Sequence, residues 1–205
     1  MEGKPMLKAL DVANFFVEMA KRTPEDEMTN MRVNKLLYFA QGLSLTTLER
    51  PLFEEDIQAW DFGPVVPSVY RAFKVCGSEK IHEPAGEFSF DRFSSEEIDI
   101  LLDVVRDYGQ YTTAKLVRLT HAEGAPWKTV YQKDTSNIVI SKESMKSYFL
   151  RELRESPSPK YNPETDFIGS MRVMTAPSGA LRRGNRSSRD SGVSVTLGNR
   201  RSARA

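Results

Sequence analysis

Thr29-Asn-Met-Arg-Val-Asn-Lys-Leu-Leu-Tyr-Phe-Ala-Gln-Gly-Leu43 (29–43) is the stretch whose periodicity decides the fold class. Val33, Leu36, Leu37, Ala40 and Leu43 recur at i, i+3, i+4, i+7, the pattern of a helix with one buried face. Thr29 or Asn30 can cap this helix through a side-chain oxygen, and Arg50-Pro51 stops it. Leu37, Tyr38 and Phe39 cannot all face one core from a single stripe. Tyr38 is the one off it, and its hydroxyl needs water or a partner.

Helical periodicity continues on both sides. Leu10, Ala13, Val17 and Ala20, with Phe16 beside them, precede a break at Thr23-Pro24 and the acidic run 25–27. Downstream, Gly63-Pro64 is a turn pair, and Val66, before a proline, is expected to be extended. Pro67 at a first helical position and Gly77 past an end bracket a short helix over 67–76. Ser94 and Glu97 have capping-box spacing and open a helix carrying Ile98, Leu101, Leu102 and Val105, ended near Gly109. Thr112 caps the next, with Leu116, Val117 and Leu119, and Ser141 caps the last. Glu87-Phe-Ser-Phe90 alternates as a short strand would, with Ile138-Val-Ile140 its candidate partner. The expectation is a mainly α fold over residues 1–155, a compact bundle of six to seven short helices with at most one small β-hairpin.

Composition changes near Ser156. Ser-Pro-Ser-Pro (156–159) and Asn-Pro (162–163) lead into a segment rich in Arg, Gly and Ser. Such a segment buries too little apolar surface to offset its ordering entropy, so 156–205 is expected to be a disordered basic tail. The chain of 205 residues has a formal charge of +1, but this average hides two regions. Residues 156–205 hold nine basic and three acidic residues, whereas 1–155 hold 20 and 25. Nucleic-acid contact is thereby confined to the tail, chiefly 181–205, whose arginines suit phosphate backbones. The acidic domain suits a basic protein partner.

Function classes fall away on simple grounds. No apolar run approaches the ~20 residues of a membrane span, and no charged-then-apolar leader precedes the first helix. With one cysteine, Cys76, no internal disulfide can form, and a cytoplasmic location is expected. One cysteine and two histidines cannot build a cysteine-rich zinc site, and neither a metal nor another cofactor is expected. No GxxxxGK[ST], GxGxxG, HExxH or GxSxG motif occurs, so no catalytic residues are assigned. Cys76 reads as a small half-buried hydrophobe, the alternative being a nucleophile paired with His82 or His121. Asp99 and Asp103 share a helical face without histidines beside them, as solvated faces commonly show.

Binding chemistry is more visible. Trp60-Asp-Phe-Gly-Pro-Val-Val-Pro67 places two aromatics, a glycine and two prolines in eight positions. Prolines fix φ and remove amide donors, so this reads as a rigid, poorly self-bonded loop. Rigid aromatic loops lose little entropy on docking, although Trp60 and Phe62 could equally cap the core. Thr120-His121 and Pro126-Trp127 form a second cluster, with His121 either a structural histidine that orients Trp127 or a partner contact.

Taken in order, Lys35-Leu-Leu-Tyr-Phe-Ala-Gln-Gly42, Pro51-Leu-Phe53, Ala59-Trp-Asp-Phe-Gly-Pro-Val-Val-Pro67 with Tyr70, Thr120-His121, Pro126-Trp127 and Ile138-Val-Ile-Ser141 resemble the Panacea domain, also called the SocA-like antitoxin or phage-associated GepA-type domain. The resemblance spans about residues 7–150, and the Trp-x-x-Gly-Pro-Val-x-Pro block is its most specific part. It implies an antitoxin without catalytic activity that binds a cognate protein toxin directly. One branch of the family acts instead as an adaptor to an ATP-dependent protease. On this resemblance the partner-binding residues are Lys35, Tyr38, Gln41, Trp60, Phe62, Gly63, Pro64, Val65, Pro67, Tyr70, His121 and Trp127.

Overall fold

The computed structural model describes residues 5–22 and 27–155. Its first helix, α1 (Ala9–Ala20), leads to α2 (Asn30–Thr47), the longest element and the centre of the molecule. Strand β1 (Ile57–Trp60) turns at Asp61-Phe62 into β2 (Gly63–Val65), which runs into α3 (Pro67–Ala72). A 3-10 turn at Lys74–Cys76 and another at Phe90–Arg92 precede α4 (Ser95–Tyr108). Then follow α5 (Thr113–Thr120), α6 (Pro126–Val130), β3 (Val139–Ile140) and α7 (Lys142–Glu155). The fold is mainly α, with seven helices among the described residues and one small antiparallel sheet in the order β2-β1-β3. No helix among the described residues is long and apolar enough to cross a membrane.

Helix α2 is capped by Thr29, whose side chain accepts from the Arg32 amide at 3.2 Å. The expected stripe is buried, but so is nearly everything else: Leu37, Tyr38 and Phe39 are each at most 5% exposed. The expectation that Tyr38 stands off the core is corrected. Helices α1, α3, α4, α5 and α7 and strand β2 all pack against α2, so it is exposed only near its two ends, at Met31 and Thr47. Tyr38 lies against Phe39 and Phe149, with ring centroids 5.4 and 5.5 Å away.

Buried polar side chains on a central helix need partners inside the protein; the Tyr38 hydroxyl has none among the described residues, whereas several others reach the backbone of a different segment. Asn30 Nδ2 donates to the Tyr70 carbonyl and Asn34 Oδ1 accepts from the Val66 amide. Arg32 donates to the carbonyls of Gly109 and Tyr111. Gln41 Nε2 donates to the Phe53 carbonyl while Oε1 accepts from the amides of Leu52 and Phe53. Ser44 Oγ donates to the Arg50 carbonyl. These bonds fix the path of the loops that α2 itself does not contain.

Local signals account for the remaining helix starts. Ser94 and Glu97 form the reciprocal capping box of α4, and Glu97 also holds Arg50, at 3.0 Å. The buried residues of α4 are Glu97, Ile100, Leu101, Leu102 and Val104, so Leu101 and Leu102 of the expected stripe face the core while Ile98 and Val105 are half-buried at its edge. Thr112 caps α5 and Ser141 Oγ accepts from the Ser144 amide. The helix expected over 67–76 is α3 followed by the 3-10 turn, closed by Gly77 at φ +56°.

Two strand expectations are corrected. Residues 87–90 form no strand and run into the second 3-10 turn. The 138–140 segment instead pairs with β1, in register Ile57↔Ile140 and Gln58↔Val139. The segment expected to be a poorly self-bonded loop is half of a hairpin, in register Gln58↔Val65, Ala59↔Pro64 and Trp60↔Gly63. Pro64 is tolerated there because β2 is an edge strand, where a missing N–H breaks no second ladder. The tail expected at 156–205, with its arginines at 181–205, lies outside the described residues, as do residues 23–26 of the expected break.

Candidate functional site

The β1–β2 hairpin, α2 and α3 enclose an open groove of about 850 Å³. Its base is built from buried residues, among them Asn34, Lys35, Ala59 and Val65. Trp60, Phe62, Tyr70 and Met31 form its apolar walls and rim. Phe62 is 69% exposed at the hairpin tip, and Met31 is 42% exposed opposite. Folded monomers seldom hold a large aromatic ring so far into water beside other apolar groups without a use for it.

Packing makes the tip rigid. Trp127 Nε1 donates to the Trp60 carbonyl at 2.9 Å. His121 stacks on Trp127 with centroids 3.6 Å apart, and Tyr131 stacks on Trp127 at 4.5 Å. Tyr131 in turn donates from its hydroxyl to Asp61 in the hairpin turn. The Trp60 ring meets Tyr70 edge-on at 4.9 Å, and its Nε1 donates to Gln58 Oε1. Burial, with Lys35 and Lys128 nearby, pushes the His121 pKa below its ordinary value and so favours the neutral ring in the stack. Its Nε2 is buried with no hydrogen-bond partner.

Gly63 explains why the hairpin turns where it does. Its φ is +103°, and a Cβ there would lie 2.8 Å from Lys35 Cε and 3.0 Å from Thr120 Oγ1. Gly63→Ala meets both backbone strain and the packed lysine stem. It is expected to cost about 2 kcal/mol in urea unfolding; a loss below about 0.5 kcal/mol would mean that the hairpin relaxes freely.

The sequence-level site residues divide into three groups. Trp60, Phe62, Val65, Tyr70 and Lys35 all line the groove. Gly63, Pro64, His121, Trp127 and Pro67 shape it from behind: Pro64 gives its carbonyl to Lys35 Nζ at 3.0 Å, and Pro67 starts α3. Tyr38 and Gln41, each 1% exposed, lie in the core, where the rings of Phe39 and Phe149 and the backbone at 52–53 occupy their faces. Sequence reasoning missed Asn30, Met31, Asn34 and the 135–137 loop, which also line the groove. Asn34 left a signal: an amide inside the apolar stripe of α2 needs a buried partner. The 135–137 loop left none.

Other chemistry does not assemble here. Among the described residues no group of three or more His, Cys, Asp or Glu side chains is placed so as to hold a metal ion. Asp103 pairs with Arg106 at 2.7 Å.

A model of the family described as "Antitoxin SocA-like, Panacea domain" matches residues 33–128, which hold most of α2, the hairpin and the His121–Trp127 stack. Antitoxin SocA from Caulobacter vibrioides is 31% identical over 140 residues, covering 62% of this chain and 72% of that protein. No solved structure matches the chain.

Proposed function

This chain belongs to the SocA-like antitoxin family built on the Panacea domain, and we propose that it binds and neutralises a cognate protein toxin by direct contact in the cytoplasm. The observation that carries the reading is the Phe62 ring, held out in water on a hairpin that Trp127 and Tyr131 brace from behind. An aromatic anchor that is already ordered loses little entropy when a partner covers it. The groove beside it offers a concave apolar surface for whatever follows that anchor into the interface.

Phe62→Ala is expected to weaken toxin binding by about 2 kcal/mol, or roughly 30-fold. Its melting temperature should stay near wild type, because an exposed ring contributes little to folding. Phe62→Glu should abolish neutralisation. The measurement is growth on co-expression with the toxic product of the neighbouring reading frame, paired with pull-down and thermal melting. Full protection and wild-type pull-down by Phe62→Glu would remove the groove from the contact. An adaptor would use the same contact but lose protection in a host lacking its ATP-dependent protease; survival of protection there assigns direct occlusion.

A further inference from the structure

Lys35 differs from the other buried polar side chains of α2. Asn34 and Gln41 have backbone partners for both their donor and acceptor atoms. Lys35 has one, the Pro64 carbonyl, for an ammonium that carries three donors. It is 1% exposed, lies at the base of the groove, and forms no ion pair with a carboxylate among the described residues. The absent side chain of Gly63 is what leaves room for its stem. Such a group is costly to keep unless something arrives to use it.

We infer that Lys35 is a recognition residue, taking the carboxylate of an acidic side chain on a partner polypeptide that enters the groove next to an apolar residue packed on Trp60, Phe62 and Tyr70. The charge pattern selects that occupant. Lys35 is the only lysine or arginine among the described residues that line the groove, and Asp61 lies on its rim. One base at the bottom of an apolar cleft matches one carboxylate. A phosphate chain would need several cations and would meet Asp61. A toxin that is basic overall, as the acidic domain favours, needs to supply only one such residue.

The inference has a pH signature. Burial lowers the Lys35 pKa from 10.5 to about 7 in the free chain. A carboxylate beside it favours the charged form and raises that value again. Above pH 7, therefore, binding takes up a proton, and affinity falls as pH rises towards the bound-state pKa; below pH 7 this dependence is flat. The other titratable groups around it are Asp61 in the hairpin turn, Tyr70 on α3, His121 at the end of α5, and Lys128 and Tyr131 beside the stack. Lys35→Met leaves all of them in place.

The inference rests on the groove being the contact surface, and its test uses no toxin, so the two can fail separately. The full chain, with lysines labelled at Cε, is titrated by NMR with N-acetyl-Phe-Glu-amide, N-acetyl-Phe-Gln-amide and inorganic phosphate. The Lys35 signal is identified by its loss in Lys35→Met. The glutamate peptide is expected to raise the Lys35 midpoint by about one unit or more, and so to bind roughly tenfold tighter near pH 6 than near pH 9. The glutamine peptide should leave the midpoint unmoved. Equal effects of the two peptides, or no effect up to about 50 mM, the weak end of measurable affinity, would overturn the inference. So would phosphate acting as strongly as the glutamate peptide, which would make this a small-anion site. If Lys35→Met fails to fold, the Lys35 signal is taken as the lysine signal with the lowest midpoint in the free chain, at about pH 7, and its shifts with the three probes decide. Persistent loss of neutralisation in Phe62→Glu after such a failure would keep the toxin contact and remove only the carboxylate.

Discussion

Gln41→Leu is expected to destabilise the domain by about 3–5 kcal/mol, since it strands three buried backbone groups at once. Gln41 is 1% exposed, and Leu52 and Phe53 are fully buried. Its Oε1 accepts from the Leu52 and Phe53 amides at 2.9 and 3.3 Å, and its Nε2 donates to the Phe53 carbonyl at 3.1 Å. Leucine matches the volume but offers neither atom, and water cannot reach the orphaned groups. At roughly 2–4 °C per kcal/mol for a domain of this size, the melting temperature should fall by about 10 °C. Urea unfolding within about 1 kcal/mol of wild type would show that the 52–53 segment is held by its apolar side chains instead.

Gln41→Glu tests the same bracket by pH. A carboxylate keeps both acceptor bonds but places negative charge against the Phe53 carbonyl; the protonated acid can donate to that carbonyl. Its folded-state pKa must therefore lie above the unfolded value of about 4.3. Stability relative to wild type should be greatest below that unfolded value and be lost as pH rises through the raised folded one. A difference from wild type that stays constant between about pH 4 and pH 8 would contradict the assigned bonds.

Gly42→Leu should be equally damaging, by about 4 kcal/mol, for a steric reason. A Cβ at Gly42 would lie 2.3 Å from Phe149 Cε2, and that ring is only 3% exposed, packed on Tyr38 and Phe39. Even Gly42→Ala, which gains about 1 kcal/mol of helix propensity, should be net destabilising. The gap left by shortening Phe149 should rescue it. Gly42→Ala combined with Phe149→Leu is expected to be at least about 0.5 kcal/mol better than the two single changes predict. Strict additivity would mean that α7 shifts bodily away from α2.

These two neighbours on α2 also show what could be read in advance. The stripe from Val33 to Leu43 identified the helix, and it identified the core face correctly. It could not show that Gln41 and Gly42 sit where other elements close on the helix from its remaining sides. Periodicity reports the environment of a helix with one wet face. Once five helices and a strand surround it, polar and small residues become contacts too, and Tyr38 goes inside with them.

The site was legible to the same depth. Trp60, Phe62, Gly63 and Pro64 declared a special segment because such residues at that density constrain φ and resist ordinary packing. That the segment is a hairpin depended on β3, which arrives from residues 139–140, and on Trp127 reaching the Trp60 carbonyl. No local pattern encodes a partner about 70 residues away.

Sequence alone thus determined the helical class, the capped starts of α2, α4, α5 and α7 and the residues of the aromatic hairpin, all of them properties of neighbours a few positions apart. Only the tertiary structure decided which side chains face water. It buried Tyr38 and Gln41, left Phe62 out, and placed Lys35 at the base of the groove with no counter-charge among the described residues. Those outcomes depend on which surfaces meet when the chain closes, and burial and charge pairing are set there.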